Sequence, residues 1–303
     1  MPIVDIDLPT TPKESLSILV LSNPQIRELV LAKNVRLFAR RKKVWANLHL
    51  AVDQRVFHDV PVKLHVDHKD PDRLTKIAAI SAGIQKCKAA GLAFPNATVE
   101  FYLHNGNQAC LGYLMPTRPV EKFVIILGTG VLRTTQRLVA TLIGEQNASR
   151  SSQTADEAKA TAAVVHELGH CFHQLQNPSQ FHCLAEAAFL NGKADSELTS
   201  GEYRDRHALL RNASKSRMNG FLAGLRSFSR EVSQYAATHP CEFVAECFAG
   251  QVMGLTYEQS VLAAYRACGG PALNLQTTTT ARRSTQTVSS QNIAMHEETG
   301  EGL

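Results

Sequence analysis

At 303 residues and 44% hydrophobic content, the chain has apolar material for one large domain or two small ones around a buried core. Its net charge of +5 is spread along the sequence, so a nucleic-acid partner is not expected, and no apolar run approaches the roughly 18 residues of a membrane span. Seven cysteines in no framework spacing read as free thiols, which argues against a disulfide-stapled secreted module.

Asp5, Asp7 and Glu14 precede a short apolar run, Leu16 to Leu21, with no basic segment ahead of it. That is not the pattern of a cleaved signal peptide, so synthesis in the cytoplasm is expected, and export would need a route independent of such a signal. From Leu16 to about Leu50 apolar residues recur at helical spacing, and Pro24 opens a second helix through Ile26, Leu29, Val30, Val35 and Phe38. Residues 1–60 are therefore expected as a helical N-terminal segment, with Arg40-Arg41-Lys42-Lys43 as a solvated helix end. Val62 to Val66 alternates like a strand, and Pro71 starts a helix that runs to Ala90 and stops at Gly91. His65 and His68 flank that strand end without a third partner at metal spacing and are expected on the surface.

Thr98 to Leu103 reads as a strand, Asn105-Gly106 as a hairpin turn, Cys110 to Met115 as the returning strand, and Lys122 to Leu127 as a third. Gly128-Thr129-Gly130 then opens like a dinucleotide loop before a helix from Leu132 to Ile143, but Arg133 stands where the fingerprint requires Gly, so no nucleotide is expected. Gly144 to Gln153 is polar and Ser-rich, a surface loop and a candidate lid.

Thr154 and Glu157 form a T-x-x-E capping box, after which Ala155 to Gln176 is an Ala-rich helix carrying His166-Glu167-Leu168-Gly169-His170. This is an H-E-x-x-H pattern: positions four apart lie on one helical face, so both imidazoles can reach a single zinc about 2 Å away. Glu167 is offset from that face and placed to take a proton from an attacking water. An ordinary buried helix is the bland alternative, but an apolar helix with these residues is hard to read as a solvated face. A catalytic zinc usually has three protein ligands. A metzincin continuation would need Gly at 173 and His at 176; the chain has His173 and Gln176, and that class is excluded. His173 stands seven residues, about 10 Å along the axis, from His166 and is read as a helix-face histidine.

Phe181 to Leu190 is a further helix containing Glu186, and Asp195 to Arg217 is charged and surface-facing. In Tyr235-Ala-Ala-Thr-His239-Pro240-Cys-Glu242-Phe-Val-Ala-Glu246-Cys-Phe248, Pro240 suits a first helical turn and puts Glu242 and Glu246 on one face among apolar residues. Two carboxylates there are costly to bury unless a cation or a hydrogen bond receives them. Thr256 to Ala267 is a last helix, stopped by Gly269-Gly270-Pro271; from Ala272 the Thr, Ser and Gln content is that of a disordered tail.

H-E-x-x-H followed by Y-x(6)-E-F-x-A-E-x-F resembles the gluzincin metallopeptidases of the anthrax toxin lethal factor type and related bacterial zinc peptidases, over roughly Phe123 to Arg266. The resemblance implies Zn²⁺ held by His166, His170 and Glu242, with Glu167 as general base, Tyr235 as hydroxyl donor to the tetrahedral intermediate, and Glu246 orienting a ligand histidine. The sequence departs from it at His239, where relatives often carry Asn, and in the long separation of the two motifs. Glu186 is the competing third ligand, although it lacks the E-x-x-x-E partner and the upstream Tyr. The implied fold is α+β and zincin-like: a small twisted sheet with the H-E-x-x-H helix and a second, C-terminal ligand helix. It would span residues 61–270, between the helical N-terminal segment, residues 1–60, and the tail, residues 271–303. The implied function is a zinc-dependent endopeptidase acting on a protein or peptide, either a resident enzyme or a translocated bacterial effector or toxin. The alternative is a non-catalytic binding module on the same fold.

Overall fold

A computed structural model describes residues 4–6, 16–18, 23–44, 50–105, 111–116, 120–128, 155–181 and 231–274. The expected loop at 144–153, the helices expected at 132–143 and 181–190 beyond Phe181, Glu186, the charged segment 195–217, Thr154 of the capping box and the tail beyond Asn274 lie outside the described residues.

Strands β1 (Val4–Ile6) and β2 (Leu16–Ile18) form an antiparallel pair, followed by helix α1 (Asn23–Val44). The main sheet has the order β3-β4-β5-β7-β6, from β3 (Leu50–Phe57), β4 (Val60–Asp67), β5 (Val99–Leu103), β6 (Leu111–Met115) and β7 (Lys122–Leu127). Helix α2 (Arg73–Ala89) crosses from β4 to the parallel β5; α3 (Ala155–Gln176), a 3₁₀ turn (Ala236–Thr238), α4 (Pro240–Val252) and α5 (Gln259–Ala267) complete the described elements. The architecture is thus mixed α/β with a small open sheet. Among the described residues no helix is long and apolar enough to cross a membrane.

Two expectations about the strands are corrected. The N-terminal segment is not helical to residue 60: β1 and β2 precede α1, and residues 50–57 pair with β4 through the turn at His58 and Asp59. Both turn residues have positive φ, 50° and 65°, which gives a two-residue loop whose twist matches the strands it joins. The sheet therefore begins before the expected boundary. Nor do β5 and β6 form a hairpin, because β7 lies between them, parallel to β5 and antiparallel to β6. The reason is in the apolar run Lys122-Phe-Val-Ile-Ile-Leu127, which is buried on both faces and so belongs inside a sheet, displacing β6 to the edge.

One face of the sheet, through Leu64, Phe101 and Ile125, packs under α2 and α3. Phe172 of α3 anchors this core against Phe94, Phe123 and Phe248, with ring centroids 5.2, 5.0 and 6.1 Å away. The other face carries Tyr102, Tyr113, Met115, Val124 and Ile126, with Phe38 of α1 edge-on to Tyr102. His65 belongs to this face and is not a plain surface histidine, since it stacks flat on Tyr102 at 4.1 Å; His68 is exposed as expected. The Lys76 ammonium, fully buried, reaches Asp70 at 2.6 Å and the His104 carbonyl at 3.2 Å, tying α2 to the end of β5. Five cysteines, Cys87, Cys171, Cys241, Cys247 and Cys268, are free and buried among the described residues.

His173 is a core tie between helices. It is fully buried, and its Nε2 lies 3.0 Å from the Cys268 carbonyl just past α5. Burial, reinforced by the charge of His170, holds the imidazole down to about 3 against the opposing carbonyl bond. A folded value below the unfolded one (about 6.5) means that the unfolded chain takes up the proton first. Stability from this group is complete above about pH 6.5 and falls towards pH 3, by up to about 1.4 kcal/mol per pH unit. His173→Asn should remove about one proton from that dependence, measured by urea unfolding at pH 7, 6 and 5 with chelator present. An unchanged slope would show that folded His173 accepts the proton.

Candidate metal centre

The site is built where α4 lies against α3. His239 has extended backbone and caps α4, its Nδ1 accepting from the Cys241 N–H at 3.0 Å, and Pro240 supplies the first helical residue. The His at 239 thus does the work that an Asn side chain does at such a position. Glu242 follows in the first turn, where the helix dipole favours a carboxylate, and Glu246 one turn later. Close approach of the helices depends on Gly169, where a Cβ would stand 2.7 Å from the Phe248 ring. On the other side β6 lies directly on the motif, since a Cβ on Gly112 would meet the Glu167 carbonyl.

Glu242 Oε2 is 3.0 Å from His166 Nε2 and 3.3 Å from His170 Nε2. The two rings stand nearly perpendicular with centroids 4.8 Å apart. One donor atom from each of the three residues falls within 4.8 Å of the others, close enough to share a metal ion. Glu246 Oε1 is 2.7 Å from His166 Nδ1, so a second carboxylate stands behind the ring, on the side away from Glu242. Burial alone would raise the Glu242 carboxyl, but the charge of His170 and the hydrogen bonds from both imidazoles hold it well below the usual carboxylate range. Burial also lowers the His239 imidazole, partly offset by Glu242 and aided by His170 and Lys33.

Glu167 is buried on the same turn of α3 as His166. Tyr235 enters the 3₁₀ turn ahead of α4, and its ring lies 5.9 Å from that of His166. The structure therefore brings together His166, His170, Glu242, Glu246 and Tyr235, with Glu167 beside them. A cavity of about 210 Å³ opens beside His170 and Glu242, walled by α1, β6 and α4, with Lys33, Asn34, Phe181 and His239 among its lining residues.

Asn34 and Gln174 were not expected here. Gln174 follows His170 by four positions on the same helical face, which is a legible signal; Asn34, 140 residues away from Gln174, carries none. Compared with family models, with characterised proteins and with solved structures, the chain matches none.

Proposed function

We propose that the chain is a zinc-dependent endopeptidase with a zincin-like domain, acting on a protein or peptide. The observation that carries this reading is the convergence of two imidazole Nε2 atoms and one carboxylate, with the far nitrogen of His166 held by Glu246. Two nitrogens and one oxygen are a donor set suited to catalytic zinc, which keeps a fourth position open. Four ionisable groups packed this closely and largely shielded from water also suit a cation better than mutual contact alone.

His166, His170 and Glu242 would hold the ion. An ion held there would supply Lewis-acid chemistry, polarising a carbonyl and making water a nucleophile near neutral pH. Glu167 takes the proton of the attacking water and returns it to the leaving amine. Tyr235 donates a hydrogen bond to the oxygen on which negative charge builds. Glu246 keeps the His166 ring in one tautomer and one orientation.

The first test is zinc content of the purified chain, with cleavage of a peptide library. About one zinc per chain and chelator-sensitive cleavage are expected; absence of both would sink the reading. Tyr235→Phe separates an enzyme from a metal-holding binding module. Loss of one oxyanion donor typically costs about 10²- to 10³-fold in kcat, with zinc content, melting temperature and KM little changed. Normal cleavage by this variant would remove Tyr235 from the chemistry, and loss of zinc or of folding would make it structural.

A further inference from the structure

β6 is the edge of the sheet beside the H-E-x-x-H helix, and an edge strand ordinarily presents unpaired backbone groups to which an extended chain can add. Here those groups are taken by two side-chain carboxamides. Gln174 Oε1 accepts from the Leu114 N–H at 3.1 Å, and Gln174 Nε2 donates to the carbonyls of Gly112 at 3.3 Å and His170 at 2.9 Å. Asn34 Nδ2 gives its two hydrogens to the Leu114 carbonyl at 2.8 Å and to Gln174 Oε1 at 2.6 Å. Both residues are buried, and each carboxamide is chemically one peptide unit, a carbonyl beside an N–H. Together they complete β6 as a neighbouring strand would.

Asn34 reaches this place from α1, whose Val30, Lys33 and Leu37 line the cavity next to His170 and Glu242. Leu31 and Phe38 of that helix also pack on the two hydrophobic clusters, Phe38 edge-on to Tyr102. The helix gives Val30 to the buried core, leaves Val35 and Leu37 exposed, and is pinned at its start by a partly exposed Arg27–Glu121 pair of 2.6 and 2.7 Å bonds. The pair is bidentate, the geometry in which a partly exposed ion pair does contribute. An incoming peptide N–H could replace the Asn34 amide on the Leu114 carbonyl, while Gln174 Oε1 keeps the Leu114 N–H.

We propose that α1 is an inhibitory strap that occupies the outer edge of β6 in place of an extended polypeptide, and that the cleft admits such a chain only when α1 lifts. This rests on the peptidase reading. Exchange of one set of bonds for another makes the opening reversible, so the substrate competes directly with Asn34.

The test uses the full zinc-loaded chain with Asn34→Ala and, separately, Arg27→Ala, which loosens α1 without touching the cleft. Removal of the Asn34 hydrogen bonds should raise kcat/KM on a quenched dodecapeptide library about tenfold, and Arg27→Ala should raise it by a smaller factor. Hydrogen exchange in the Glu167→Gln chain gives a readout free of turnover: adding the same peptide pool should speed exchange of the α1 amides about tenfold or more and leave β5 and β7 unchanged. If Asn34→Ala fails to fold, Arg27→Ala and the exchange experiment decide. Cleavage within twofold of wild type in the folded variants, or α1 protection that peptide does not alter, would overturn the strap. Absence of cleavage in every variant, with α1 still loosened by peptide, would instead retire the peptidase and keep the strap.

Discussion

Glu167→Gln should keep about one zinc per chain and an unaltered melting temperature while lowering kcat by about 10²- to 10⁴-fold, the range for loss of a positioned general base. The side chain is not among the three whose donor atoms converge, so an isosteric amide at 167 leaves His166, His170 and Glu242 intact. On the peptidase reading, what it removes is the group that would accept the proton of the attacking water. Burial of Glu167 makes the change a demanding one to read, because an amide introduces two donors into the same space. Zinc content and unfolding must therefore be measured with the rate. Near-normal cleavage with zinc bound would move the base to another residue, and loss of zinc would show that Glu167 supports the metal.

The second large effect should separate the carboxylates. Glu242→Gln removes one of the three donors and should weaken zinc binding by more than 100-fold, whereas Glu246→Gln, which acts through His166 Nδ1, should cost about 10- to 100-fold. Competition against a zinc-sensitive dye gives both values. A smaller loss for Glu242→Gln than for Glu246→Gln would reject Glu242 as ligand and turn attention to Glu186.

The helices that carry the centre were legible because their signals are local. α3 is announced by its Ala-rich apolar run, and α4 by Pro240 at its first turn and by carboxylates four apart. The sheet was less so. β3 is half exposed, with a burial pattern that lacks a clean period of two, and its turn uses His58 and Asp59 where glycine or asparagine would have advertised positive φ. The Asn105-Gly106 pair suggested a hairpin, yet the position of β7 was fixed by burial on two faces, a demand of the whole sheet that outweighs one turn signal. Spacing could place His166 and His170 on one face, but the meeting of α3 with α4 comes from packing, as in the seat that Gly169 leaves for Phe248. Asn34 was invisible for the same reason: nothing near it in sequence hints at an edge strand, and its partners are 80 and 140 residues distant.

His166 and Glu242 are 76 residues apart. On a ribosome adding about 5–20 residues per second, the histidine pair leads its carboxylate by about 4–15 s. During that interval the nascent chain holds the two histidines of the cluster without Glu242 and without Glu246, the carboxylate behind His166. The three-residue cluster therefore comes together only when α4 docks on α3.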